Sequence, residues 1–335
     1  LQRSAEERED ILAPVKNISA VVNEDGEFAF NVQGREFVPT DWSLQQFSIR
    51  SNVPSSTVIQ KLRLQEDFDA DDAAIMAGLA NNALRRLNQD KIYRMRTYTD
   101  GTCRAFVTDR YAPIDNRWYL EQLQNNLPEG RLSHWRGDED TIFGNILLPD
   151  TIIDYGQSDD SDYGGMMSIG NCEIGKRRIQ QVPSLFRSIC LNGCIWGQVE
   201  GSAIKKRHIG TIDLVELGGQ IAANINEQLP LLPMGVRKLL ELREMEVQDV
   251  TMKSVFAAVA MENKFSRNEA SEVFGQWVDN ERQDKNLFGV VNAITRAGQV
   301  FNNQSWVKFD QIGGSMLDMS ESRWSGLVSR ADTLT

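Results

Sequence analysis

Residues Tyr163 to Gly210 read YGGMMSIGNCEIGKRRIQQVPSLFRSICLNGCIWGQVEGSAIKKRHIG and combine two strand-like runs with glycine-containing turns. The stretch carries seven lysines and arginines against two glutamates, although the whole chain has a formal net charge of -11. The seven cations are Lys176, Arg177, Arg178, Arg187, Lys205, Lys206 and Arg207. Segregated positive charge can attract an anion to one face of an acidic protein. The pattern therefore predicts a binding surface for an anion in this part of the chain.

The patterns on either side of this stretch predict the fold class. Upstream, alternating segments such as residues 28–38, which turn at Gln33-Gly34, predict antiparallel hairpins between helices. Downstream of Gly210, apolar residues recur at helical spacing. We therefore predict an α+β protein with an antiparallel, hairpin-rich sheet and packed helices, followed by a mostly helical C-terminal third. The expected domains are an N-terminal α/β segment (1–90), a central hairpin-rich core with the basic stretch (91–214) and a helical region (215–335).

The clearest hairpin is IYRMRTYTDGTCRAFVTDRYAPI (92–114), which turns at Asp100-Gly101, a dipeptide typical of type I′ turns. Regular pairing across this turn places Arg94, Arg96 and Tyr98 on one face of the hairpin. The opposite face then carries Tyr93, Met95, Phe106 and Arg104. The first face is basic and contains an aromatic ring. It is either a contact surface for nucleic acid or the solvated outer face of an antiparallel sheet.

Two other segments give local predictions. Residues 69–87 predict a helix with acidic residues at its start and Arg85-Arg86 at its end, an order that suits the helix dipole. Apolar residues recur at helical spacing along it, at Ile75, Leu79, Ala83 and Leu87. Residues 1–11 are strongly charged and predict a mobile segment or a short helix.

Composition narrows the class of protein. No apolar run approaches the roughly 18 residues of a membrane helix, and the first residues lack the pattern of a secretory signal, so we expect a soluble, cytoplasmic protein with no membrane partner. The isoelectric point near 4.9 counts against indiscriminate nucleic-acid binding, since such domains usually have a value above about 9. The four cysteines lack paired metal-ligand spacing, which favours reduced core residues and predicts no metal site.

No catalytic motif is present. The sequence lacks a phosphate-binding loop, a nucleophile elbow and a zinc-binding helix motif, so we predict no cofactor and no catalytic residue. His208, within KKRHIG, has the charge and hydrogen-bonding setting of a phosphate contact, or lies at a solvated strand end. The candidate polar residues at turns are Asn116, Asn171, Glu173 and Asn192.

Five segments resemble, in chain order, a family common in phages and plasmids. They are DRYAPIDN (109–116), SIGNCEIG (168–175), FRSICLNG (186–193), KKRHIG (205–210) and NLFGVVNAITRAGQ (286–299). The family is the phage/plasmid-like family catalogued as domain of unknown function number 932, and the resemblance extends from about Phe28 to Leu317. The resemblance implies a mobile-element origin, a bacterial host and a shared fold, in a setting similar to that of phage recombination proteins.

We therefore expect a homo-oligomeric protein that binds single-stranded nucleic acid in annealing or recombination, without catalytic chemistry of its own. The expected contacts are Arg94, Arg96, Tyr98, Arg104, Arg110, Lys176, Arg177, Arg178, Arg187, Lys205, Lys206, Arg207 and His208. One alternative is an enzyme acting on a phosphorylated small molecule, with Arg187, Asn192 and His208 converging in a pocket. Another is a virion or assembly protein whose basic stretch contacts neighbouring subunits.

Overall fold

The computed structural model describes residues 6–53, 63, 65, 67–127, 129–137, 140–151, 163–187, 192–195, 204–301 and 303–333. These residues form an α+β structure, as predicted, in which two sheets and their helices pack around separate apolar cores. Across these ranges, no helix combines the length and apolar character needed to cross a membrane.

The first sheet contains strands β1 (Arg8–Pro14), β2 (Ile18–Val22), β3 (Phe28–Val32), β4 (Arg35–Pro39), β5 (Ile92–Tyr98) and β6 (Thr102–Thr108). Their spatial order is β1-β5-β6-β4-β3-β2, and only the β4/β6 pair is parallel. Both predicted hairpins are present. The prediction for residues 8–11 is wrong, because they begin an edge strand that pairs with β5. The predicted boundary at residues 90/91 falls within this sheet, since β5 and β6 lie between β1 and β4.

Helices α1 (Asp41–Ser51) and α2 (Ala70–Arg86) pack on this sheet. The sequence predicted helix α2 but not which of its faces is buried. Ile75 is 57% exposed and Leu79 is 41% exposed, whereas alanines and Met76 face the core. The rotation of α2 is fixed by Asn81, whose side chain exchanges two hydrogen bonds, of 2.8 and 2.7 Å, with the backbone of Ala20 on edge strand β2. Small side chains then allow the helix to approach the sheet closely.

A β-bulge in the β5/β6 hairpin changes which side chains share a face. Arg94 pairs with Val107 and Arg96 with Ala105, as regular pairing predicts, but Thr97 pairs with Cys103. The extra residue on β6 is Arg104, and a bulge directs two successive side chains to one side of the sheet. Arg104 therefore lies on the same side as Arg96 and Tyr98, whereas it was predicted on the opposite face with Met95.

The second sheet contains β7 (Arg131–Gly137), β8 (Thr141–Leu147), β9 (Tyr163–Cys172), β10 (Ile179–Arg187), β11 (Asn192–Ile195) and β12 (Ile204–Lys206). The order is β11-β10-β9-β8-β7, and β12 pairs with the part of β10 that β11 leaves open. All ten residues of the central strand β9 are buried. Helix α3 (Asn116–Asn126) connects the first sheet to the second, and its Tyr119 and Leu123 enter the second core.

The C-terminal third is helical, as predicted. It contains α4 (Leu214–Gln228), α5 (Leu232–Glu241), α6 (Met252–Glu262), α7 (Arg267–Gln276), α8 (Leu287–Val300), α9 (Asn303–Met316) and α10 (Glu321–Asp332). Capping residues stabilise several of these helix ends; for example, Ser266 forms a capping box with Glu269 at the start of α7. Helix α4 starts within one residue of the predicted boundary at 214/215, but the C-terminal helices pack in the same apolar core as the second sheet. Cys103 and Cys172 are buried free thiols, in agreement with their prediction as reduced core residues.

Candidate anion-binding pocket

The basic face predicted on β5 is buried where the two sheets meet. Arg96 is 1% exposed. Its Nε donates to Asp10 at 2.9 Å, one terminal nitrogen donates to Asp115 at 2.9 Å, and the other donates to the backbone oxygen of Glu173. Burial alone would lower the pKa of Arg96, but the charges of Asp10 and Asp115 outweigh it and raise the pKa. Arg96 therefore keeps its positive charge and connects β5 with β1, with the turn after β9 and with the residue before α3.

Arg104 and Glu173 form the second half of this contact. Both terminal nitrogens of Arg104 lie 3.2 Å from Oε2 of Glu173, and one also donates to the hydroxyl of Tyr98 at 3.0 Å. Asp140 lies 2.9 Å from Arg104. Arg104, Glu173 and Tyr98 are each at most 2% exposed. The expectation that Arg96, Tyr98 and Arg104 form part of an accessible surface is wrong, because the second sheet covers them.

We call these groups the interface cluster. It contains four arginines and four carboxylates connected by ion pairs, so its formal charges cancel. Its members are Arg8, Arg94, Arg96 and Arg104 with Asp10, Asp115, Asp140 and Glu173. Arg94 is partly buried and pairs with Asp10 at 3.0 Å, which also removes it from the predicted contact surface.

Three of the four polar candidates at turns are brought together by hydrogen bonds. The backbone nitrogen of Asn116 donates to Oε1 of Glu173 at 2.8 Å, and the amide of Asn171 donates to Oδ1 of Asn116 at 2.9 Å. All three residues are buried, at 1% exposure or less. These hydrogen bonds hold the start of α3 against the end of β9. The side chains of Asn192 and Arg187 lie outside the described part of the structure.

The turn that follows β9 is held from the first sheet. Nε1 of Trp42 and Nε2 of Gln46, both on α1, donate to the backbone oxygen of Ile174 at 2.9 and 2.8 Å. Gly175 follows with a φ of +75°, and a Cβ there would lie 3.3 Å from the ring of Tyr111. A residue with a side chain would be strained at this φ and crowded by that ring. The next three residues, Lys176 to Arg178, therefore project from a turn of fixed geometry.

These basic residues line a pocket of about 390 Å³ between the two sheets. The lining residues are Gln46, Arg50, Val107, Tyr111, Gly175, Lys176, Arg177, Arg178, Arg207, His208 and Ile209. Five are arginine or lysine, and no carboxylate side chain is among them. In the ranges that the structure describes, Arg50, Lys176, Arg178 and Arg207 form no ion pair with a carboxylate. The pocket therefore concentrates positive charge in a protein that is acidic overall.

His208 lies at the base of the pocket and is 4% exposed. Its ring stacks on Tyr111, with 5.4 Å between the centroids and 5° between the planes. Its backbone is fixed because Ala112 donates to its carbonyl oxygen at 3.1 Å. Burial lowers the pKa of His208 to about 4, and the positive charge of Arg96 adds to this effect against the opposing influence of the Ala112 backbone and Asp115. The imidazole is therefore neutral at pH 7. Neither ring nitrogen makes a hydrogen bond of regular geometry among the described residues, although the backbone of Ala112 is near enough to influence the pKa.

The positive charge continues from the pocket along β12. Lys205 and Lys206 pair through the backbone with Gln180 and Ile179 on β10 and directly precede Arg207. Burial and the nearby charge of Arg178 both lower the pKa of Lys205. Arg110 is exposed beside this segment, and its carbonyl oxygen accepts a hydrogen bond from Gly210 at 2.7 Å.

Sequence reasoning missed the residues that other elements bring to the pocket. Arg50 comes from the last turn of α1, where its Nη1 donates to the carbonyl oxygen of Gln46 at 3.0 Å. Burial lowers its pKa, an effect that the negative charge of a bound anion would oppose. Tyr111 and Gln46 were also missed. Tyr111 stands inside the DRYAPIDN segment, which was the one available signal for it.

No group of acidic, histidine and cysteine side chains with the arrangement of a metal site occurs within the described ranges. Comparisons with protein-family models, curated proteins and solved structures find no match to this chain.

Proposed function

We propose that the protein binds single-stranded nucleic acid through phosphate contacts in the basic pocket and along β12. The observation that carries the proposal is the set of Arg50, Lys176, Arg178 and Arg207 around one concave site, without an ion pair to a carboxylate in the described part of the chain. Arginine and lysine side chains in such a setting bind phosphate oxygens through charge-assisted hydrogen bonds.

The extension of this charge along β12 favours a polymer over a single phosphate. Lys205 and Lys206 lie outside the pocket, next to Arg178 and Arg207, so successive phosphates of one strand can contact successive cations. With Tyr98 buried, the contacts that support this proposal are contacts to the backbone. We therefore expect binding with little preference for base sequence.

The test is fluorescence anisotropy of a labelled single-stranded oligonucleotide over a range of salt concentrations. With four phosphates neutralised, log K should fall with log salt at a slope of about -3, or about 50-fold between roughly 50 and 200 mM. The double variant R178Q/R207Q should reduce the slope by about 1.4. Arg86→Gln, an exposed arginine at the end of α2, is the matched control and should leave the slope unchanged. Salt-independent binding, or equal slopes for all three proteins, would contradict the proposal.

Annealing and homo-oligomer formation belong to the same proposal and extend it from binding to activity. Size-exclusion chromatography with light scattering and an annealing assay on complementary strands test them directly. We expect an oligomer that accelerates annealing. A monomer that binds strands without annealing them would overturn this role and leave the phosphate contacts in place.

The second candidate function is an enzyme acting on a phosphorylated small molecule. It is favoured by the pocket, which has the volume of a small-molecule site and contains the neutral imidazole of His208 as a candidate contact to substrate. The pKa of about 4 makes His208 a weak general base at pH 7, so in this alternative the imidazole binds and orients the substrate. Titration calorimetry with mononucleotides separates the two candidates. Tight binding of a mononucleotide, with no gain from a longer strand, would favour the enzyme.

A further inference from the structure

We propose that the basic pocket receives a terminal phosphate monoester of the strand, and that the chain then leaves past Arg178 toward Lys205 and Lys206. This inference rests on the proposed function and adds to it the part of the strand that is recognised. It predicts that the protein distinguishes strand ends from strand interiors.

The first argument is the shape of the pocket. Its base consists of the buried residues Val107, Tyr111 and His208, whose exposure is between 2% and 8%. Its sides come from three separate segments, which are α1, the turn after β9, and residues 207–209. A phosphodiester within a strand has a chain substituent on each side and fits a groove open at both ends. A terminal phosphate has one substituent and fits a pocket with a closed base.

The second argument is the chemistry at the base. A phosphate monoester carries a charge between about -1.5 and -2 near neutral pH and presents three terminal oxygens, against one negative charge on a diester. The cations Arg50 and Arg207 suit the additional charge. His208 offers a ring N–H that makes no hydrogen bond of regular geometry among the described residues, and a buried donor of this kind is satisfied by an oxygen that reaches the base.

The third argument is that the base is held rigidly. The hydroxyl of Tyr111 donates a hydrogen bond to the backbone oxygen of Glu173 at 2.7 Å, and the Tyr111 ring stacks on His208. The guanidinium of Arg96 lies 5.9 Å from the centre of the Tyr111 ring. The position of the imidazole therefore depends on the interface cluster, and little reorganisation is needed when an anion binds.

The experiment compares three oligonucleotides of one sequence that carry the dye internally, so that both ends stay free. One has a 5′-phosphate, one has a 3′-phosphate and one has hydroxyls at both ends. Anisotropy at one salt concentration and near neutral pH should show that one phosphorylated strand binds about 10-fold tighter than the unphosphorylated strand, the effect of one or two additional charge-assisted hydrogen bonds. Equal affinities for the three strands would overturn end recognition and leave the proposed function standing. Failure of all three to bind would overturn both.

Two variants locate the effect. His208→Asn should reduce the ratio of affinities for phosphorylated and unphosphorylated strands, whereas Lys205→Gln should weaken both affinities and leave the ratio unchanged. Because the ratio is taken within one protein, a smaller folded fraction lowers both signals and does not alter it. If His208→Asn leaves the ratio unchanged while Lys205→Gln changes it, the placement of the terminal phosphate beside His208 is overturned.

Discussion

Replacement of Glu173 by glutamine tests the interface cluster, because it keeps the shape of the side chain and removes one negative charge. Glu173 is 1% exposed and accepts hydrogen bonds from both terminal nitrogens of Arg104 and from the backbone of Asn116. The substitution leaves four buried or partly buried arginines against three carboxylates. Loss of one partner from a buried ion pair costs about 3 to 5 kcal/mol, since the remaining charge stays away from water. We expect the lower end, about 3 kcal/mol, because Asp140 still contacts Arg104.

The assay is urea unfolding followed by far-UV circular dichroism, with Glu262→Gln as the matched control. Glu262 also contacts two arginines, Arg323 at 2.8 Å and Arg330 at 2.6 Å, but this group lies at the surface. Each exposed ion pair contributes about 0 to 1 kcal/mol, so the control, which has two such pairs, should lower the free energy of unfolding by less than about 2 kcal/mol. Equal losses in the two variants would refute the argument that the buried location of Glu173 makes its charge important.

Three further predictions concern other parts of the molecule. The pKa of His208 is lowered to about 4, so its neutral form stabilises the fold above about pH 6.5 and this contribution is lost as the pH falls. Between pH 7 and pH 5, the free energy of unfolding should therefore fall by about 2 kcal/mol more in the wild type than in His208→Asn. Gly175→Ala should lower the free energy of unfolding by about 1 kcal/mol and weaken binding of the oligonucleotide, because φ is +75° and the ring of Tyr111 lies against the new methyl group; unchanged stability would contradict this. Burial raises the pKa of Asp310 well above its usual range, so its protonated form stabilises the fold at low pH and this contribution is lost as the pH rises. Asp310→Asn should therefore gain stability relative to the wild type between pH 5 and pH 7, and a constant difference would contradict it.

The hairpin at residues 92–108 shows how far sequence periodicity reaches. The turn at Asp100-Gly101 and the pairing of Arg94 and Arg96 were predictable, because they follow from turn chemistry and a period of two. The bulge at Arg104 was not, since no local pattern marks it and the residue with which Arg104 pairs, Glu173, lies far along the chain. An alternating pattern identifies a face of a strand but does not state whether water or a second sheet covers it.

The pocket was predictable to the extent that its residues are neighbours in sequence. Lys176 to Arg178 and Arg207 stand in two charged runs, and the surplus of positive charge identified both. Arg50 and Tyr111 come from segments with no local surplus, and only the packing of α1 and of the chain after β6 brings them to the site. The helix over residues 69–87 shows the same limit, because Asn81 rotates it through a contact with Ala20 that no periodicity contains.

The two groups of arginines described above differ in whether a carboxylate lies within ion-pair distance. In the interface cluster each arginine has a carboxylate within ion-pair distance, and the charges cancel, so the cluster joins the sheets and adds little long-range field. At the pocket, Arg178 and Arg207 have no such partner in the described structure and lie beside Lys205, so their field reaches the solvent. The two groups are connected through Tyr111, which contacts Arg96 on one side and His208 on the other. A loss of charge in the interface cluster should therefore disturb the base of the pocket before it disturbs the cations around it. The ratio of the affinities for phosphorylated and unphosphorylated strands should then respond to Glu173→Gln more strongly than the affinity for either strand.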